Sequence, residues 1–170
     1  SAGIVFEELV MLGAKRLVRV GTCGGLGEGM RMGDTVVALS TSTDDATPLR
    51  YASMPGFSPT ASHTLVETAV GLSRDSGATV HVGPIVTSGL FYDSDPTTFA
   101  TWKRLGHIGV EMEAAMMYTV AAVHRLEALA MMTVSDVLGD DGESVRISDE
   151  ELRRGVDDMM RIACRVATSA

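Results

Sequence analysis

The chain of 170 residues has only two cysteines, Cys23 and Cys164, far apart and in unlike contexts. That pattern gives no disulfide framework, and without a C-x-x-C pair there is no thiol redox or zinc-ribbon signature, so both are expected to be reduced thiols. Aromatic residues are scarce at 5%, so any aromatic pair stands out. Basic residues are outnumbered 14 to 22 by acidic ones, the formal net charge is -8, and no block of Lys or Arg occurs. A surface built for nucleic acid or anionic membrane is thereby disfavoured, and a small molecule is the expected ligand. Apolar runs are short and broken by Gly or charge, so none reads as a membrane span. The opening "SAGIVFEELV" lacks the basic start of a secretory signal, and the cytoplasm is the expected compartment. The four histidines show no metal-ligand spacing, and neither the Walker G-x-x-x-x-G-K-[ST] nor G-x-G-x-x-G is present.

What is present is a 45% hydrophobic chain, enough for one good core, and its length favours a single domain over 1–170. Apolar spacing predicts a helix over 3–13, stopped by Gly13, then the strand "RLVRV" running into a glycine-rich turn. Residues 34–41 read as a second strand and 44–59, rich in Pro, Ser and Asp, as a loop. A helix over 61–76 and a β-branched strand over 78–88 follow. Asp95-Pro96 reads as the start of another helix, and 108–112 as a short strand. Residues 113–125 read as helix and "ALAMMTVSD" as an almost uninterrupted apolar strand. After a flexible acidic loop, Ser148-x-x-Glu151 opens the last helix as a capping box. Alternating helices and fully apolar strands imply an α/β fold: a central mixed, mostly parallel sheet flanked by helices on both faces, in three layers. In such folds ligands gather at the carboxyl ends of strands.

Four of those ends carry odd residues. In "RLVRVGTCGG", Arg19 interrupts a buried strand, and a buried arginine is costly unless it meets an anion. The N–H groups around Gly21 and the Thr22 hydroxyl could join its planar fork on phosphate oxygens; pairing of Arg19 with a structural carboxylate is the alternative. In "SGLFYDSDP", Phe91 or Tyr92 could stack on a flat ligand, or both could be core. In "VEMEAA", Glu111 and Glu113 face one way if the backbone is extended and nearly opposite ways if it is helical. Extended, they offer two acceptors to vicinal hydroxyls; otherwise they are a solvated pair at a helix start. Asp136 ends the apolar "TVSD" strand, where a carboxyl could hold a proton for delivery, or serve as a turn or cap.

Together "RVGTCGG", "GDTVV", "TSGLFY", "GVEMEAA" and "TVSD" resemble, in order and approximate spacing over nearly the whole chain, the nucleoside phosphorylase family of the purine nucleoside phosphorylase and uridine phosphorylase type. The resemblance implies phosphorolysis of the N-glycosidic bond by a pentosyltransferase. Arg19, Gly21 and Thr22 would bind phosphate, Phe91 with Ser135 the base, and Glu111, Met112 and Glu113 the ribose, while Asp136 would be the general acid. It implies no metal and no cofactor beyond inorganic phosphate as co-substrate. It also implies a homo-oligomer, a dimer-based hexamer. Purine is expected over pyrimidine, because "DSDPTTF" lacks the Gln and Arg that read uracil, and "TVSD" supplies the acid a purine leaving group needs. A hydrolytic nucleosidase and a non-catalytic nucleoside-binding domain are the alternatives.

The chain also departs from the family pattern. "SAGIVFEELV" is similar to the middle of a family chain, so a preceding segment bearing a glycine-rich phosphate loop, and a histidine and an arginine donated across a dimer, is expected to be missing. Where bacterial hexameric purine enzymes have an arginine in the last helix, "SDEELRRGVDDMM" aligns Leu152, with Arg153 adjacent. Gly89 stands where a polar residue usually precedes the base-stacking aromatic.

Overall fold

The structure, a computed structural model, describes residues 2–139 and 144–169. In chain order the elements are α1 (Ala2–Met11), β1 (Arg16–Gly25), β2 (Thr35–Thr43), α2 (Ala46–Ala52), α3 (His63–Asp75) and β3 (Val80–Thr87). There follow α4 (Thr98–Arg104), β4 (Gly109–Glu111), α5 (Ala114–His124), β5 (Glu127–Leu138), β6 (Ser144–Arg146) and α6 (Asp149–Thr168). The expected alternation is therefore observed, and the sheet is mixed. The long registers β1–β5 and β2–β3 are parallel, as is β3–β4. The short ones, β1–β4, β2–β5 and β5–β6, are antiparallel.

β5 organises the sheet. One of its edges pairs with β1 along its length; the other pairs with β2 over residues 130–133 and with β6 over 136–138. Because β1 also pairs with β4, the hydrogen-bonded neighbours β1, β4, β3, β2 and β5 form a closed circuit. Side chains alternate across β5 as an extended strand requires. Ala128, Ala130, Met132 and Val134 join α5 in one core, while Leu129 and Met131 meet α3 and α6 in a second. These two cores, one on either side of the sheet, lie between the three expected layers.

Three local expectations are corrected. "GTCGG" is not a turn but the second half of β1, and none of its glycines has positive φ. Its glycines are needed for close approach: an added Cβ would lie 3.0 Å from Arg19 Nη1 at Gly21, 2.9 Å from a Leu138 methyl at Gly24, and 3.0 Å from Val134 at Gly25. Within 44–59, expected as loop, α2 forms because the Asp45 side chain accepts from Thr47 N at 2.8 Å and Pro48 sits in the first turn, where no amide donor is needed. α4 begins at Thr98, not at Asp95-Pro96. The Asp95 carboxylate instead closes a tight turn on Thr97 N and Oγ1, at 2.8 and 2.7 Å, which holds its pKa below the ordinary value. The capping box of α6 is present in part: Ser148 Oγ accepts from Glu151 N at 3.4 Å and donates to the Glu151 carboxylate at 2.5 Å. The acidic loop expected before it falls mainly on residues 140–143, outside the described residues. Among the described residues no helix is long and apolar enough to cross a membrane.

Candidate active site

All four singled-out stretches open onto one cleft of about 780 Å³. Arg19, Gly21 and Thr22 of β1 line it, as do Phe91, Met112, Glu113, Ser135, Asp136 and the last residue of β4, Glu111.

The floor is electrostatic. Arg19, with 14% of its side chain exposed, turns back over Gly21 and directs Nη2 at both glutamates, 3.2 Å from Glu111 Oε2 and in closer contact with Glu113 Oε2. The "VEMEAA" segment is thus extended through Glu111 and helical only from Ala114, with Glu113 as the α5 N-cap, and both carboxylates converge on one guanidinium. Their surroundings differ. Glu111 is buried and accepts from Thr87 Oγ1 at 2.5 Å, from Glu113 N at 2.9 Å and from Ala114 N at 2.9 and 3.1 Å. It therefore satisfies the otherwise orphaned amides of the first α5 turn while bracing Arg19. Glu113 makes no side-chain cap hydrogen bond. Arg19 Nη1 is buried with no hydrogen-bond partner among the described residues, a donor that fits an anion in the cleft.

On the opposite wall, the β1–β5 register shifts between Cys23 and Gly24, so that Cys23 faces Val134 and Gly24 faces Asp136. Ser135 is the extra residue of a β-bulge, a device that re-aims side chains beside active sites. Ser135 Oγ reaches Asp136 Oδ1 at 2.6 Å and the Cys23 carbonyl at 3.3 Å, and both residues are half-buried. Between the two walls, burial and then the charges of Glu111 and Asp136 push the Cys23 thiol up to about 12, so it stays protonated at neutral pH.

The rim is aromatic. Phe91, 74% exposed, meets Tyr92 edge-on at 5.0 Å, so neither is core. Phe99 and Trp102 form a second edge-on pair at 5.5 Å in the same lining. Sequence reading missed this second pair, whose i,i+3 spacing in an aromatic-poor chain was the available signal. It also missed Thr87 behind Glu111, and Asp44, whose carboxylate accepts from Ser88 Oγ and Gly89 N at 2.7 Å and anchors the loop carrying Phe91. No spacing in the sequence links those partners. Among the described residues no group of three or more His, Cys, Asp or Glu side chains could hold a metal ion.

A family model described as Phosphorylase superfamily matches residues 1–168. The chain belongs to that superfamily. It is 39% identical over 169 residues to a purine nucleoside phosphorylase DeoD-type of Caldanaerobacter subterraneus subsp. tengcongensis, covering 98% of this chain and 71% of that protein. A protein of the same name from Clostridium beijerinckii is 42% identical over 137 residues, 80% of this chain and 58% of its own length. Purine nucleoside phosphorylase DeoD-type 2 of Vibrio cholerae is 36% identical over 168 residues, 98% of this chain and 70% of its own. The superfamily membership agrees with the resemblance carried by the motifs.

Proposed function

We propose that this superfamily member cleaves the N-glycosidic bond of purine nucleosides with inorganic phosphate, giving free base and (deoxy)ribose 1-phosphate. The observation that carries the reading is the meeting of an arginine, two glutamates, an aspartate and an exposed aromatic on one cleft in a chain similar to proteins named purine nucleoside phosphorylase. Breaking the bond leaves charge on the purine and builds oxocarbenium character on the sugar. In this reading Asp136 delivers a proton to the purine N7, and Ser135 orients it. Phe91 stacks on the base. Glu111, Met112 and Glu113 form the ribose side, with Glu113 accepting from vicinal hydroxyls. Arg19, the Gly21 backbone and Thr22 hold phosphate beneath C1′, where its charge favours the transition state. No metal or organic cofactor has a role in the scheme.

One observation favours the hydrolytic alternative: Arg19 already has carboxylate partners. Its unpartnered, buried Nη1 weighs the other way. Product analysis decides between them. Phosphorolysis yields ribose 1-phosphate at a rate that saturates with phosphate; free ribose at a phosphate-independent rate would establish hydrolysis, and no turnover of any purine nucleoside would leave the binding-domain reading. The proposal includes a single domain over residues 1–170, a cytoplasmic setting and a dimer-based hexamer. Residues Ile4, Val5, Leu9, Met11 and Leu12, exposed on and just after α1, supply apolar contact surface. Light scattering that finds only monomer would remove the assembly.

A further inference from the structure

We propose that Glu113 is an exchangeable place-holder on Arg19: phosphate takes its position on the guanidinium, Glu113 is released to the sugar hydroxyls, and the two substrates therefore bind with positive coupling. The inference rests on the functional reading above. It follows from the unlikeness of the two carboxylates that Arg19 holds.

Glu111 cannot leave. Its side chain is 1% exposed, and its oxygens are engaged by the Thr87 hydroxyl and by two backbone amides. Releasing it would strand a buried charge and unsatisfy the start of α5. Glu113 is the opposite case. Its side chain is 41% exposed, and among the described residues its carboxylate has no hydrogen-bond partner besides Arg19. As the α5 N-cap it contributes no side-chain capping bond, so the helix loses nothing when the carboxylate swings away.

Charge then dictates the exchange. One guanidinium between two carboxylates leaves the trio at a net -1, and a phosphate dianion brought to the same nitrogens meets the Glu113 carboxylate as a like charge at short range. Phosphate and Glu113 therefore compete for Nη2, while Glu111 keeps the guanidinium facing the cleft throughout. Once displaced, Glu113 remains in the cleft beside Met112 as an unpaired acceptor, the state in which it best takes two hydroxyl donors. A nucleoside that engages Glu113 in turn clears Arg19 for phosphate. Linkage makes the effect equal in both directions.

The test uses the full chain with inorganic phosphate and a purine C-nucleoside, whose carbon–carbon link cannot be phosphorolysed. Titration calorimetry measures the C-nucleoside dissociation constant with and without saturating phosphate. Tightening by about 5- to 150-fold is expected, the ordinary range of coupling between sites. Glu113→Gln keeps the shape and removes the competing charge, so the variant should bind phosphate alone more tightly than the parent, and its coupling should fall to near unity. Equal C-nucleoside affinity with and without phosphate, both ligands binding the parent protein, overturns the exchange and leaves the proposed activity standing. Full coupling retained in Glu113→Gln overturns it too. If neither ligand binds the parent, the functional reading itself falls, and the exchange with it.

Discussion

Asp136 is set apart by one extra residue. The bulge at Ser135 sets Asp136 opposite Gly24 of β1, and both residues line the cleft. If it is the proton donor, Asp136→Asn keeps the shape and the Ser135 contact but cannot protonate N7. Turnover of ordinary purine nucleosides should fall roughly 10² to 10⁴-fold, the usual worth of general acid catalysis. Nucleosides whose base is already a cation through N7 methylation should be cleaved by the variant at close to the parent rate, because their leaving group is activated beforehand. Normal cleavage of unmethylated nucleosides by the variant would move the acid elsewhere. Position 136 was legible in the sequence because a charge ending an apolar run is conspicuous. Its bulge was not, since nothing in "TVSD" distinguishes a regular strand from a bulged one. Arg19 was legible for the same reason as Asp136, but both of the expected partners, an anion and a carboxylate, find support. Glu111 and Glu113 pair with it, and its Nη1 is left over.

Among the elements, those set by periodicity were the easiest to read. α3, α5, α6 and β5 follow directly from apolar spacing and from runs apolar on both faces. The misread helices, α2 and α4, are seven-residue elements whose starts depend on which carboxylate captures which amide, a choice between adjacent candidates that composition does not make. α1 shows a related limit. Its sequence is apolar nearly all round, which predicts burial, yet none of its residues is fully buried. It is tied down by the partly buried Phe6 and by a polar cluster in which the Glu7 carboxylate accepts from Tyr51 of α2 and meets His124 Nε2 of α5 at 3.0 Å. The hydrogen bond from Tyr51 and the neighbouring His124 hold the Glu7 carboxyl below its usual pKa, and burial together with Glu7 raises the Tyr51 hydroxyl to about 12. Glu7→Gln should therefore speed amide exchange in α1 several-fold at neutral pH. Because a depressed carboxyl stabilises fully above its unfolded pKa and loses that effect as pH falls through its folded pKa, the parent and variant should converge in acid. A difference that persists unchanged below that range would show that the charge on Glu7 is not what holds α1.

At the scale of the whole molecule, the two cores share one sheet, and Tyr118 of the first core joins two of its strands. Its side chain is fully buried; the hydroxyl donates to the Ala38 carbonyl of β2 at 2.6 Å and accepts from the Ala130 amide of β5 at 2.9 Å. Ala38 and Ala130 are the last registered pair of the β2–β5 ladder, so the phenol spans the point at which the two strands part. Burial raises its pKa, and the group stays neutral throughout the physiological range. Tyr118→Phe preserves the ring packing in the core beside Met117 and Ala121 but strands a buried carbonyl and a buried amide, at about 1–3 kcal/mol. For a chain of this length each kcal/mol lowers Tm by roughly 2–4 °C, so a fall of several degrees is expected. The same variant tests the single-domain proposal. β5 contributes alternate side chains to both cores, so loosening its edge should lower the stability of the whole sheet. Far-UV circular dichroism reports the helices on both faces, and fluorescence of Trp102 reports α4 at the cleft, away from the substitution. If the chain is one cooperative unit, both signals should shift together by the same amount. A Trp102 transition that stays at the parent temperature while the dichroism falls would divide the molecule into two units and end the proposal.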